Sequence, residues 1–394
     1  MFSNAQTALM PRQKAPSVDE MGPAVEPWRQ PSYRDAEEGL AGQRRALTTL
    51  AWLLPTILTL VLGLVRTTWP GQSSTELDTW ALAQRPWSEA RQLLDQLDPL
   101  SAPYALAMNL WAHALGTGDF VLRLPALLAM AGATALLAKL GANLMGPRAG
   151  FVAGLLFAVL PTTSRYAQDI GPYALAGFLG TAATVLLVRA FNRRAVLNLL
   201  AYAPVVGLLG LVSLPALALL VGHAVAVLAM RRRLAATWFV AALVGLGPAV
   251  VAGYLLRPPI IPSSHSPVSW DDIVRLVPDL FGLALVGGIL VGLGLLSLSL
   301  RKPAIIFTTW ALGPLVALYA GSFLTPFWRS EALLFTVPAW TLLAAAALVR
   351  APVVRGAVVA LLAAALSFPL HIDIRQRDGH GLGGPAVATI LIDN

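Results

Sequence analysis

The sequence predicts an all-α, polytopic membrane protein: a bundle of about eleven transmembrane helices with interfacial helices in its first outer loop. Three observations carry that expectation. The 394 residues are 57% hydrophobic and only 12% charged, about half the charged share of a soluble domain, and the mean hydropathy is +0.68. Apolar runs of roughly 17 to 22 residues recur from Ala51 onward, the length of helix that crosses a hydrocarbon core of roughly 30 Å. These runs are apolar on every side, whereas barrel strands alternate every second residue.

Residues 1–45 are polar, Pro-containing and charge-mixed, without the short apolar core of a signal peptide, and read as a disordered cytoplasmic tail. The net charge of +8 does not mark a nucleic-acid binder, because the basic residues gather in short clusters between the apolar runs. The clusters are Arg44/Arg45, Lys139 with Arg148, Arg189 with Arg193/Arg194, Arg231 to Arg233, Arg301/Lys302, and Arg350 with Arg355. Basic loops favour the cytoplasmic side, so an even number of crossings must separate successive clusters. Spans at 47–66, 124–144, 149–164, 171–189, 195–211, 214–230, 235–256, 279–299, 304–322, 331–349 and 354–370 meet that condition. The shorter run PYALAMNLWAHALGTG, bounded by Pro103 and Gly116, is left out of the count as an interfacial helix on the outer face. The transmembrane domain is then 46–370, the N-terminus is cytoplasmic, and 371–394 is an extracytoplasmic tail.

The outer face collects 67–123, 165–173, 257–275, 325–331 and the tail, with most of the acidic residues that follow the first span. Chemistry or binding is expected in an outward polar cavity under these loops. Glu76 opens the helical register ELDTWALA just above the end of the first span, with Ser73, Ser74 or Thr75 as N-cap, and Asp78 reads as its solvated neighbour. Asp98 reads as an N-cap on the short helix that follows. His223 lies inside a span, either as a functional group or as a neutral ring bonded to a backbone carbonyl. SWDDIVRLV reads as a capped amphipathic helix on the membrane surface, with Ser269 or Asp271 near its start. Trp69, Trp80, Trp87, Trp111, Trp270 and Trp328 form an interfacial belt, and GGILVGLGLL marks close helix packing. There is no cysteine, P-loop, GxSxG or HExxH, so disulfides, ATPase, serine-hydrolase and zinc-protease chemistry lack support.

Four stretches in order, TELDTW (75–80), LDPLSAPYALAMNLWAHALGTGDFVLRLPALLA (97–129), LGANLMGPRAGFVAGLLFAVLPTTSRYAQDIGPYALA (140–176) and TPFWRSEALLFTVPAW (325–340), resemble one known family. It is the GT-C fold, polyprenyl-phosphate-sugar-dependent glycosyltransferases, the glycosyltransferase family 39-like group of protein O-mannosyltransferases and aminoarabinose transferases, in its actinobacterial type. The resemblance runs from the first span nearly to the C-terminus, and longer relatives continue into an outer soluble domain. It implies an inverting transfer of a mannose-like hexose or a pentose from a polyprenyl-phosphate carrier to an extracytoplasmic glycan, lipid or protein, in the plasma or inner membrane. No cofactor is implied, and a divalent ion is compatible.

In that family the first outer loop bears an Asp-Glu pair that takes the acceptor's proton. Here the pair is Thr75-Glu76, so the resemblance makes Glu76 the catalytic base, supported by Asp98. Arg123, in RLPA, matches the family's arginine at the second span. With Arg165 it is the expected phosphate clamp. Tyr104, Asp169, Tyr173 and Arg329 are the expected substrate-binding shell. The family's Tyr-x-Gln-Glu-x-Arg-Pro-Tyr reads YAQDIGPY here, with Gly171 in place of the arginine, and its late Arg-Tyr reads Glu331-Ala332. A relative that binds lipid-linked sugar or a partner without turnover is the alternative reading, and a transporter a second.

Overall fold

The computed structural model describes residues 33–92, 102–256, 268–299, 304–323, 328–377 and 379–380; Asp98 lies outside them. The chain divides into two compact units, 1–46 and 47–394. In the first, the described residues open helix α1 (Tyr33–Leu64), so helix stands where the end of a disordered tail was expected. Everything below concerns the second unit.

The outer loop folds as α2 (Ser74–Ala83), α3 (Trp87–Gln92) and α4 (Ala102–Leu115). Then come α5 (Asp119–Met145), α6 (Pro147–Val159), α7 (Pro161–Ala167), α8 (Tyr173–Asn192), α9 (Ala195–Val212), α10 (Leu219–Met230) and α11 (Ala235–Leu256). The last are α12 (Trp270–Phe281), α13 (Ala284–Ser297), α14 (Ala304–Gly321), α15 (Val337–Leu348) and α16 (Val353–Asp373). Among the described residues eight segments are long and apolar enough to cross a membrane, or nine if α12 and α13 count as one. The two remaining positions of the expected eleven hold shorter apolar helices, α6 and Leu214–Met230.

Proline explains the first shortening. The span expected at 149–164 stops at Leu160, which is extended (φ −65°, ψ 133°) because the following Pro161 disfavours helix there. The chain restarts as α7, which carries Arg165. The span expected at 279–299 begins only at Ala284, because α12 ends at Gly282 (φ +84°) and α13 leaves it at 93°. Ser269 caps α12 as expected: its hydroxyl accepts from Asp272 N–H at 3.2 Å while Asp272 Oδ2 accepts from Ser269 N–H at 2.8 Å.

The bundle centres on α15, which packs against α13 and α6, and on α5 and α8, with α9 and α11 outside them and α10 against α14. Lipid is as apolar as the helices, so close approach rests on small residues. A Cβ on Gly150 would stand 2.3 Å from Ala138 O, and one on Gly222 2.3 Å from Thr309 O, opposite Gly313. Gly222→Val should therefore push α10 off α14 and cost about 3 kcal/mol, read as a lower melting temperature in detergent; an unchanged melt would show that the crossing is slack. His223 is buried between α8, α9 and α10 and bonded to hydroxyls, not to a carbonyl: Tyr202 OH lies 2.8 Å from Nδ1 and Thr184 Oγ1 3.1 Å from Nε2.

The outer helices are tied down the same way. Asn109 of α4 donates to Leu82 O (2.8 Å) and Arg85 O (2.9 Å), satisfying carbonyls at the end of α2. Trp111 Nε1 donates to Val121 O of α5 at 2.8 Å. α4 is not among the helices long enough to span, in keeping with its omission from the count.

Candidate functional site: a buried carboxylate pair where α2 meets the α7–α8 turn

Glu76 is the N3 residue of α2 and closes a capping box: its Oε2 accepts from the N–H of the N-cap, Ser73, at 2.7 Å. The other oxygen, Oε1, accepts from Ile170 N–H at 2.9 Å, so one carboxylate joins α2 to the turn between α7 and α8. Arg165 Nη2 lies 3.9 Å and His380 Nδ1 3.5 Å from Oε2, and Glu76 is 0% exposed. Burial by itself would raise this carboxyl. The neighbouring His380 and Asp169 side chains and the charge of Arg165 outweigh burial and hold it well below the usual carboxylate range.

Asp169 goes the other way. Burial and the negative charge of Glu76 push it well above its ordinary value, against Arg165 and the Gly171 N–H that donates to Oδ1 at 3.0 Å. Each carboxylate disfavours ionisation of the other, and the two shift in opposite directions, Glu76 down and Asp169 up, so Asp169 is the member that burial and its neighbour press toward the protonated form. The turn that carries Asp169 is fixed from three sides. Gln168 donates to Gly63 O and Val65 O, each at 2.9 Å, Tyr104 OH donates to Ile170 O at 2.9 Å, and a Cβ at Gly171 would come within 3.1 Å of Asp169 Oδ2.

Arg123 is 1% exposed and donates to Thr67 O and, at 2.7 Å, to Pro70 O. Two of its nitrogens are thus spent on the backbone just after α1. Arg123→Gln should cost about 3 kcal/mol of stability by orphaning those carbonyls, with Arg123→Lys recovering only part because an ammonium lacks the planar fork; a melt unchanged in both would remove this role. Among the described residues Arg123 Nε and Arg165 Nη1 are both buried without a hydrogen-bond partner, but Arg165 makes no backbone bond like those that hold Arg123 and lies beside Glu76. Tyr173 stands edge-on to Tyr166 at 5.6 Å, and Arg329 hydrogen-bonds to it. Glu76, Tyr104, Arg165 and Asp169 therefore converge, Arg123 supports the loop behind them, and Tyr173 with Arg329 forms a second group.

Three participants escape the sequence reading. His380 sits against Glu76, and burial pushes it down to about 4 despite that charge, so it is neutral at pH 7. Arg375 donates to Leu62 O (2.5 Å), Val65 O (3.3 Å) and Ser164 Oγ (2.7 Å), covering the end of α1, and also to His371 O; His371 in turn contacts Val159 O at 2.9 Å. The signal was there: Arg375 and Arg377 lie on the expected outer face, against the positive-inside pattern. A cavity of about 370 Å³ opens beside this group, with Leu62, Val65, Phe368 and Ile372 as its apolar wall and Arg66, His371 and Arg375 as its polar edge.

The class defined by fold and site is a multi-pass, all-helical membrane protein with a paired-carboxylate site where α2 meets the turn between α7 and α8. Among solved structures the chain is similar to ArnT from Cupriavidus metallidurans, in the apo state (TM-score 0.56, 80% of this chain and 61% of that one) and bound to undecaprenyl phosphate (TM-score 0.59, 82% and 64%). Identity is 17% in both, so the likeness is one of fold, and it is the GT-C fold that the resemblance implied. The chain spans under two thirds of the length of either ArnT chain. No family profile and no curated protein sequence matches it.

Proposed function

We propose that the protein transfers a sugar, a mannose-like hexose or a pentose, from a polyprenyl-phosphate carrier to an acceptor hydroxyl outside the cytoplasm, with inversion. It works in a plasma or inner membrane with its N-terminus cytoplasmic and its C-terminus outside. The observation that carries this reading is the ionised Glu76 beside Arg165, whose Nη1 is buried without a partner among the described residues. A general base and an anion donor are what the reaction requires. The acceptor O–H gives its proton to Glu76, and its oxygen attacks the anomeric carbon from the face opposite the phosphate. The C1–O bond breaks with its electron pair going to the carrier, which leaves as polyprenyl phosphate. Arg165 neutralises that phosphate, the cavity at Leu62 and Phe368 holds the first isoprene units, and Tyr173 with Arg329 lines the acceptor side. Asp169, through its proton, keeps Glu76 the charged member of the pair, and Asp98, outside the described residues, has the role of orienting the acceptor or Glu76.

A second reading, binding of lipid-linked sugar without turnover, is favoured by one observation. Both oxygens of Glu76 already accept backbone N–H bonds, and threonine stands at 75 where the related enzymes have aspartate. Membranes containing the protein, given labelled polyprenyl-phosphate sugar, should release polyprenyl phosphate and label an acceptor. Retained donor with no release would leave the binding reading in its place. Arg165→Gln should weaken donor binding about tenfold or more; unchanged binding would remove Arg165 from the phosphate site.

A further inference from the structure

At the end of the bundle away from Glu76, the far ends of α5, α8 and α9 enclose a cavity of about 490 Å³. Its wall is apolar at Leu140 and Val188, and its rim carries Lys139, Arg189, Arg193 and Arg194. A second cavity of about 590 Å³ shares the Asn192–Arg194 wall and continues to Arg231, Arg232 and Arg233. No Asp or Glu occurs between Asp119 and Asp169 or between Asp169 and Asp271, so these segments supply no carboxylate to neutralise seven cations. Basic loops alone would satisfy the positive-inside pattern. Hollows between helix ends are an additional feature, and basic pockets of this kind suit phosphate headgroups.

The backbone points the same way. Arg194 is a non-glycine residue in the left-handed region (φ 46°, ψ 54°), a conformation that costs roughly 1–2 kcal/mol and persists only where the surroundings impose it. The Asn198 amide imposes it by donating to Arg193 O (2.8 Å) and Arg194 O (3.1 Å). α9 then starts without a side-chain cap, and its first residue, Ala195, lines the second cavity. The N-terminus of α9, the positive end of its helix dipole, therefore borders the same space as the arginines.

We propose that these joined cavities bind the headgroup of an anionic phospholipid of that leaflet, with its acyl chains against Leu140 and Val188. Two cavities on one wall suit a lipid with two phosphates better than a lipid with one. The site is separate from the chemistry at Glu76 and does not depend on it.

The test uses the full-length protein in detergent, with lipid binding followed by native mass spectrometry and by thermal shift. Expected affinity runs diphosphatidylglycerol, then phosphatidylglycerol, then phosphatidylcholine. Arg193→Gln with Arg194→Gln should weaken diphosphatidylglycerol binding about tenfold or more, at about 1 kcal/mol per basic residue, while Arg148→Gln with Arg350→Gln, on the same basic side, should leave it unchanged. Arg194→Gly keeps the left-handed turn and removes one charge, so it should weaken binding without lowering the melting temperature in the absence of lipid. Equal loss in the two double variants would reduce the effect to diffuse charge and overturn the site. So would indifference between anionic and zwitterionic lipid, and so would displacement of the lipid by millimolar inorganic phosphate, which would mark a soluble-anion site.

Discussion

Glu76→Gln should lower sugar transfer about 10²- to 10⁴-fold, the range for loss of a general base, and should also destabilise the protein by about 3 kcal/mol as a broken buried pair. The two effects have different causes. Turnover falls because an amide cannot take the acceptor's proton. Stability falls because an amide is neutral and has a single acceptor oxygen, whereas Glu76 takes Ser73 N–H on one oxygen and Ile170 N–H on the other, with Arg165 and His380 beside it. A melt in detergent and a turnover assay on the folded fraction separate them. A fully active, destabilised variant would leave Glu76 as a capping-box residue that ties α2 to the α7–α8 turn, and nothing more.

Asp169→Asn should do the opposite to stability. Asp169 is held above its ordinary 3.8 by burial and the charge of Glu76, so the folded protein keeps a proton that the unfolded chain releases. Stability at this residue is complete below pH 3.8 and declines as pH rises from there toward the folded value. Asparagine resembles the protonated acid: it keeps an oxygen for Gly171 N–H and an N–H for Glu76 but has no proton to lose. The variant should melt above wild type at pH 8, with the gap closing as pH falls toward 4. Glu76 contributes with the reverse sign, since its carboxyl is depressed below the ordinary 4.5: its contribution is present above that pH and is lost as pH falls through the lower folded value. An Asp169→Asn protein less stable than wild type at pH 8 would mean that the aspartate is ionised and the proton lies elsewhere.

The long apolar runs were legible because a transmembrane helix satisfies its own backbone and needs only length and hydropathy. The caps were legible only to within two or three neighbours, Ser73, Ser74 or Thr75 before α2 and Ser269 or Asp271 before α12, because capping is local chemistry over three or four residues; the fold selects Ser73 and Ser269. Breaks were harder. Pro161 and Gly282 were visible, yet whether such residues kink a helix or end it depends on the neighbours available to satisfy the freed groups. The expected phosphate role of Arg123 rested on its place in a motif, and burial against Thr67 and Pro70 gives it a scaffold position that no spacing reveals.

By itself the sequence determined a multi-pass helical bundle, the basic and acidic ends of that bundle, and Glu76 as the first residue to suspect. These follow from hydropathy, charge and local capping, which act over one helix or less. Only the tertiary structure decided that Glu76 meets Asp169, that their carboxyls are shifted in opposite directions, and that Arg375 and His380 return to cover the end of α1 and the pair. Those outcomes depend on burial and on charges brought within a few ångströms from positions as far apart as 76, 169 and 380, and a low-dielectric contact of that kind has no local signature in the chain.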